Sequence, residues 1–230
     1  MKLRSTTINR WWLFYLVDKM KKERVIVYVD GFNFYYGLRK NHWRKFYWLD
    51  LVKLFETFIR PNQELVAVKY FSARPLDDDK WQRQNDFFQA NEVNPKFQLI
   101  LGKYLKKKVK CHICHQIFET FEEKESDVRI ATQIVADALN KNCDVSLVVS
   151  ADTDMIPAID LALENGHRTY IYLPPNQHST GLSVKYNGSL FYLERYKTRF
   201  KNSLLPDVVH LSKSNYDIHI PEKWKQYQNE

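Results

Sequence analysis

A chain of 230 residues, 44% hydrophobic and 15% aromatic, carries enough apolar material for one sizeable core. Six glycines and eight prolines, with no internal repeat or low-complexity tract, leave no room for a long disordered linker. The formal charge of +8, with a pI near 9.2, serves solubility and also suits a polyanionic partner, because Lys and Arg that neutralise phosphates release condensed counterions.

Residues 1–10 are basic and 11–17 form an apolar run of seven, which imitates a signal peptide. The run is at the lower limit for one, no small-residue cleavage site follows, and it is far too short to span a bilayer. Met20 is a candidate natural start, since Met20-Lys21-Lys22-Glu23-Arg24 leads straight into the first strand. That strand, Val25-Ile26-Val27-Tyr28-Val29, is apolar at every position, the pattern of a parallel strand buried on both faces. A helix is expected over 33–40, then a second over 51–59, capped by Asp50 and stopped by Pro61. Residues 65–73 read as a strand, and Asp77-Asp78-Asp79 opens a polar helix to about Asn91.

A third strand is expected over 96–105, followed by an antiparallel excursion over 106–121 around two close cysteines. Ser126 reads as the N-cap of a helix over 127–139, whose apolar positions form a broad stripe. Asp137, deep on that apolar face, reads as a satisfied structural residue. The run 145–149 is another central strand, followed by Ser150-Ala151-Asp152-Thr153-Asp154 and a helix over 155–164. Residues 169–173 make a further strand, 191–193 a short one, and the chain ends in polar sequence. Alternating strands and helices imply a doubly wound, mainly parallel α/β fold of one domain, with sites beyond the carboxyl ends of the strands.

Acidic motifs fall at two such ends. Asp30 follows the first strand, Asp152 and Asp154 follow the strand at 145–149, and Asp127 opens a helix that should pack beside them. Each alone also serves as a turn residue or N-cap. Jointly, if the two strands are neighbours, they gather hard oxygen ligands of the kind Mg²⁺ or Mn²⁺ prefers, and a cation would relieve their mutual repulsion. Asn33 and Ser150 could contact a ligand or cap locally.

The string Val27-Tyr28-Val29-Asp30-Gly31-Phe32-Asn33-Phe34 resembles the opening motif of NYN domains, within the PIN-like nuclease superfamily. Lys124-Glu125-Ser126-Asp127-Val128 is similar to the start of their central helix, and Val148-Val149-Ser150-Ala151-Asp152-Thr153-Asp154-Met155 to their third motif. The motifs stand in the family's order across 25–173. Ala151 and Met155 replace a usual glycine and phenylalanine. The resemblance implies a PIN-like fold and Mg²⁺- or Mn²⁺-dependent hydrolysis of RNA, as an endoribonuclease. Asp30, Asp127, Asp152 and Asp154 would be its catalytic and metal-binding residues, supported by Asn33 and Ser150. The alternative is a catalytically inactive RNA-binding or regulatory module of the same fold. A phosphatase or nucleotide-binding domain is disfavoured by the lack of a Gly-rich phosphate loop of the Walker type.

Cys111-His112-Ile113-Cys114-His115 has the two-residue gap of a zinc knuckle, but a structural zinc needs four ligands and no second pair exists. A metal-free hairpin tip is preferred over Zn²⁺ at Cys111 and Cys114, and an ion shared across a homodimer is left open. Lys106, Lys107 and Lys108 crowd the strand before this tip and, with nearby aromatics such as Tyr104, Trp81 and His112, suit single-stranded RNA. The expected layout is an N-terminal extension at 1–23, a nuclease domain at 24–210 and a tail at 211–230. Three cysteines, an odd count, and the weak N-terminal signal imply a cytoplasmic protein with no membrane partner.

Overall fold

The apolar run at the start of the chain becomes the middle strand of a sheet. In the computed structural model, which describes residues 21–75, 77–110, 112–212 and 215–229, β1 is Glu23–Asp30, and Val25, Val27, Tyr28 and Val29 are wholly buried. Residues 1–20 and Cys111 lie outside the described residues, and with them most of the expected N-terminal extension and one member of the Cys111–Cys114 pair. Because side chains alternate along a strand, β1 feeds two cores. Val25, Val27 and Val29 join one, and Ile26 and Tyr28 the other.

The first core is covered by α1 (Gly31–Lys40), α2 (Leu51–Glu56) and α3 (Asp78–Glu92), through residues such as Phe34, Leu38, Leu54, Phe55 and Phe88. The second is covered by α4 (Ser126–Leu139), α5 (Ile156–Glu164) and α6 (Thr180–Lys185), through Ile130, Ile134, Ile159 and Leu182. Helices on both faces are what a sheet of doubly buried strands requires.

The remaining strands of the sheet are β2 (Gln63–Ala73), β3 (Phe97–Lys110), β4 (Ile117–Lys124), β5 (Val145–Val149), β6 (Arg168–Leu173) and β7 (Leu190–Tyr192). Their order among the described residues is β4-β3-β2-β1-β5-β6-β7, with β4 antiparallel and the other six parallel. From β1 the chain builds outward to β2 and β3, then returns to the other side of β1 with β5 and continues to β6 and β7. The order therefore reverses between β1 and β5, and at such a switch point the flanking loops diverge and leave a crevice at the carboxyl edge.

Two local expectations change. The helix carrying Asp127 starts one residue earlier than its Ser–Asp opening suggests. Glu125 takes the cap position with φ 80°, in the left-handed region, and its side chain accepts no capping hydrogen bond. The Ser126 hydroxyl is instead buried with no hydrogen-bond partner among the described residues. The helix expected over 51–59 closes at Glu56, where the Thr57 hydroxyl donates to the Leu54 carbonyl and tightens the last turn.

The stretch 211–230 has the composition of a tail, but its described residues are built into the molecule. β8 (Val208–Leu211) pairs with β9 (Tyr216–His219), and Ile218 and Ile220 are buried. The helix α7 (Glu222–Lys225) sets Trp224 edge-on to Tyr47 at 5.6 Å and to Phe87 at 6.2 Å.

Candidate metal centre at the β1–β5 switch point

β1 and β5 pair in parallel register, Val29 opposite Val149, so the residues leaving both strands emerge side by side. Asp30 and Asp152 thereby meet across the crevice, and Asp127 reaches it from the first turn of α4. Carboxylate oxygens of Asp127, Asp152 and Asp154 all lie within 4.8 Å of one another. Asp127 and Asp154 are exposed and Asp152 is half-buried, so the cluster opens to solvent.

Asp30 sits behind them, almost wholly buried. One of its oxygens accepts the Asn33 backbone N–H at 3.0 Å and so caps α1. The other accepts the Asn33 amide at 2.7 Å and the Ser150 hydroxyl at 2.9 Å. The Ser150 oxygen in turn accepts the Asp152 N–H at 3.1 Å, and the Asn33 side-chain oxygen accepts the Ala151 N–H at 3.4 Å. Asn33 and Ser150 thus tie the loop after β5 to the end of β1. Asp152 caps the short 3-10 turn Thr153–Met155 by accepting the Asp154 N–H at 2.9 Å. Asp152 therefore both caps a turn and belongs to the cluster, whereas Asp30 caps α1 behind it and Asp127 and Asp154 only cluster.

The electrostatics strain against four acids in one place. Burial pushes the Asp30 carboxyl above its ordinary value, against hydrogen bonds from Asn33 and Ser150 that pull it down, and the Asp152 charge adds to the rise. Burial also raises Asp127, with Asp30, Asp152 and Asp154 as further causes, although the helix N-terminus favours a negative charge there. A hard divalent cation would reverse that penalty, and three convergent carboxylates with room for water are the donor set Mg²⁺ or Mn²⁺ takes. The residues fit such an ion.

Gly31 explains part of the Asp-Gly spacing. A Cβ there would stand 2.5 Å from the Phe71 carbonyl oxygen and 2.7 Å from the Tyr70 ring, both packed on β2. Gly31→Ala must therefore push α1 away from β2 and disturb Asp30 with it. The expected loss is about 1–3 kcal/mol, read as a lower midpoint in thermal or urea melting; an unchanged midpoint would mean the contact yields freely.

The lysines lie elsewhere. The β2–β3 register ends at Ala73 opposite Gly102, and from Lys103 onward β3 pairs with β4 as a two-stranded arm. Lys107 and Lys108 are exposed on this arm, whereas the side chains of Lys106 and Tyr104 lie outside the described residues. Cys114 is exposed with a free thiol. Trp81 is covered by the Arg74 guanidinium, 4.6 Å from its ring centre. An aromatic and basic cavity on the first-core side of the same edge went unread; of its lining on α1 only Tyr35, Tyr36 and Arg39 are exposed, which does not by itself mark a cavity.

The NYN domain family model matches residues 24–191. A curated relative, 6-hydroxy-3-succinoylpyridine 3-monooxygenase HspA of Pseudomonas putida (strain DSM 28022 / S16), is 30% identical over 173 residues, which are 60% of this chain and 55% of that protein. The chain thus spans about half the length of that relative. The crystal structure of a protein of unknown function from Vibrio parahaemolyticus RIMD 2210633 shares the fold, with a TM-score of 0.54 at 18% identity, covering 80% of this chain and 98% of that one.

Proposed function

The chain belongs to the NYN domain family, and from that premise we propose that it is a metal-dependent ribonuclease, hydrolysing RNA phosphodiesters at the Asp127, Asp152 and Asp154 cluster. The observation that carries this reading is the convergence of three carboxylates at the β1–β5 switch point, where the parallel sheet leaves an open crevice. Asp127, Asp152 and Asp154 would hold Mg²⁺ or Mn²⁺, with Asp30 as their buried support. When bound, the ion supplies charge neutralisation for the phosphate and a lowered pKa for a bound water.

The chain's own groups do the positioning. Asn33 and Ser150 hold Asp30 and the loop after β5 in one arrangement, which keeps the exposed carboxylates in register with the scissile phosphate. Asn33 and Ser150 act here as positioning residues rather than substrate contacts, since both side chains are already engaged. The arm carrying Lys106, Lys107 and Lys108 would guide the strand by its phosphates, independent of base identity.

The test is to incubate purified full-length protein with mixed RNA and DNA in Mn²⁺, Mg²⁺ or chelator. RNA should be cut with either metal and survive in chelator. A second reading comes from the Pseudomonas relative, whose name describes monooxygenation of a substituted pyridine. It predicts oxygen uptake that depends on a heteroaromatic acid and a two-electron donor, with RNA left intact in every metal. That result would replace the ribonuclease reading.

A further inference from the structure

A cavity of about 640 Å³ opens beside α1 at the carboxyl edge of β1 and β2, and the acidic cluster does not line it. Its wall includes Gly31, next in the chain to Asp30, and Ser72 near the end of β2. The volume is within the range of small-molecule sites. Its lining has two chemical halves.

One half is aromatic. The rings of Tyr36 and Tyr35 meet edge to face at 5.3 Å, Tyr35 and Tyr47 lie 5.0 Å apart, and Tyr47 contacts Trp224 at 5.6 Å and Tyr227 at 6.1 Å. Tyr35 and Tyr36 keep 38% and 45% of their surface exposed, an unusual outlay of aromatic area unless something covers it. The other half is cationic. Arg39, Arg44, Lys80, Arg83 and Lys223 line the cavity against one acid among the described lining residues, Asp77, which is engaged in capping α3 and in pairing with Lys80. Arg39, Arg83 and Lys223 make no direct ion pair among the described residues, and only Arg83 feels a nearby acid, Asp77, so most of their charge is available to a ligand.

We propose that this cavity is a nucleotide subsite: it takes one nucleotide flanking the cut, with the base against Tyr35, Tyr36 and Tyr47 and the phosphate toward Arg39 and Arg83. The identity of the occupant rests on the ribonuclease reading. Ring faces are shared by every base, so the site tolerates any sequence, and guanidinium forks match phosphate oxygens. Because Gly31 borders the cavity and Asp30 supports the carboxylates, a strand crossing the edge of β1 would engage both. The subsite would then set which phosphate reaches the metal centre.

The experiment is calorimetric titration of the full chain with AMP, UMP and nicotinate in EDTA, where cleavage is silent and no metal can bridge the phosphate. Both nucleotides should bind saturably and be displaced by a short RNA. Arg83→Gln should weaken them about tenfold, the cost of losing a charged hydrogen-bond donor. Tyr36→Ala, at an exposed helix position, should weaken them roughly five- to a hundredfold, the usual range for one stacked base. Absence of nucleotide binding, parental affinity in both variants, or binding of nicotinate alone would overturn the subsite. None of these outcomes depends on cleavage, so the subsite and the ribonuclease reading can fail separately.

Discussion

Asp152→Asn is expected to lower metal-dependent RNA cleavage by orders of magnitude while the protein stays folded. The substitution is nearly isosteric, and the amide oxygen can still accept the Asp154 N–H that closes the 3-10 turn. What disappears is one negative ligand from a cluster whose oxygens span no more than 4.8 Å. A divalent ion held by fewer charges binds more weakly and loses its geometry, and the chemistry depends on both. Stability should move the other way, if at all. Asp152 is one of the charges that raise the Asp30 and Asp127 carboxyls, so removing it relieves repulsion in the metal-free protein. The pairing of a lost rate with an unchanged or higher melting midpoint separates a ligand from a structural cap. A variant that cuts at near the parent rate in Mn²⁺ would remove Asp152 from the metal centre.

The sequence was most readable where one physical constraint acts alone. A strand buried on both faces must be apolar throughout, so β1 and β5 announced themselves as 25–29 and 145–149. The aspartates after them could be placed at one edge once those strands were neighbours, and the β1–β5 register makes them so. The start of α4 was misread because Ser126-Asp127 looks like a cap, and no local signal reveals that Glu125 occupies the left-handed region. The strand and helix within 211–230 were not legible because Leu211, Tyr216, Ile218, Ile220, Trp224 and Tyr227 are spaced among polar residues, too sparse for a periodicity. The cavity was unreadable in principle. Its wall combines 31–49, 70–87 and 223–227, and only the fold brings segments so far apart into contact.

Asp137→Ala should be the most destabilising substitution among those considered, because it breaks a buried network rather than a surface one. Asp137 sits on the inner face of α4, 1% exposed, and both of its oxygens are used. One accepts the Tyr28 hydroxyl at 2.8 Å and the Lys69 ammonium at 2.5 Å; the other accepts Asn142 at 2.9 Å and Gln133 at 3.2 Å. These bonds fasten α4 to β1 and β2, and α4 carries Asp127 at its other end. Removing the carboxylate leaves the Lys69 ammonium buried without its partner, a loss of about 3–5 kcal/mol. For a chain of this length that is a fall of roughly 6–20 °C in melting midpoint. The pH dependence has a definite sign. Burial alone would raise the Asp137 carboxyl, but hydrogen bonds from Asn142, Lys69 and Tyr28 outweigh it and hold the group below its ordinary value. A carboxyl depressed in the folded state contributes stability that is complete above the unfolded value of about 3.9 and is lost as pH falls through the lower folded value. The gap between parent and Asp137→Ala midpoints should therefore be widest near neutrality and narrow in acid below about pH 4. Replacing both partners, Lys69→Met with Asp137→Leu, should recover part of the loss, since no charge is then stranded. Equal midpoints for parent and Asp137→Ala at pH 7 would show that the network does not hold α4 in place.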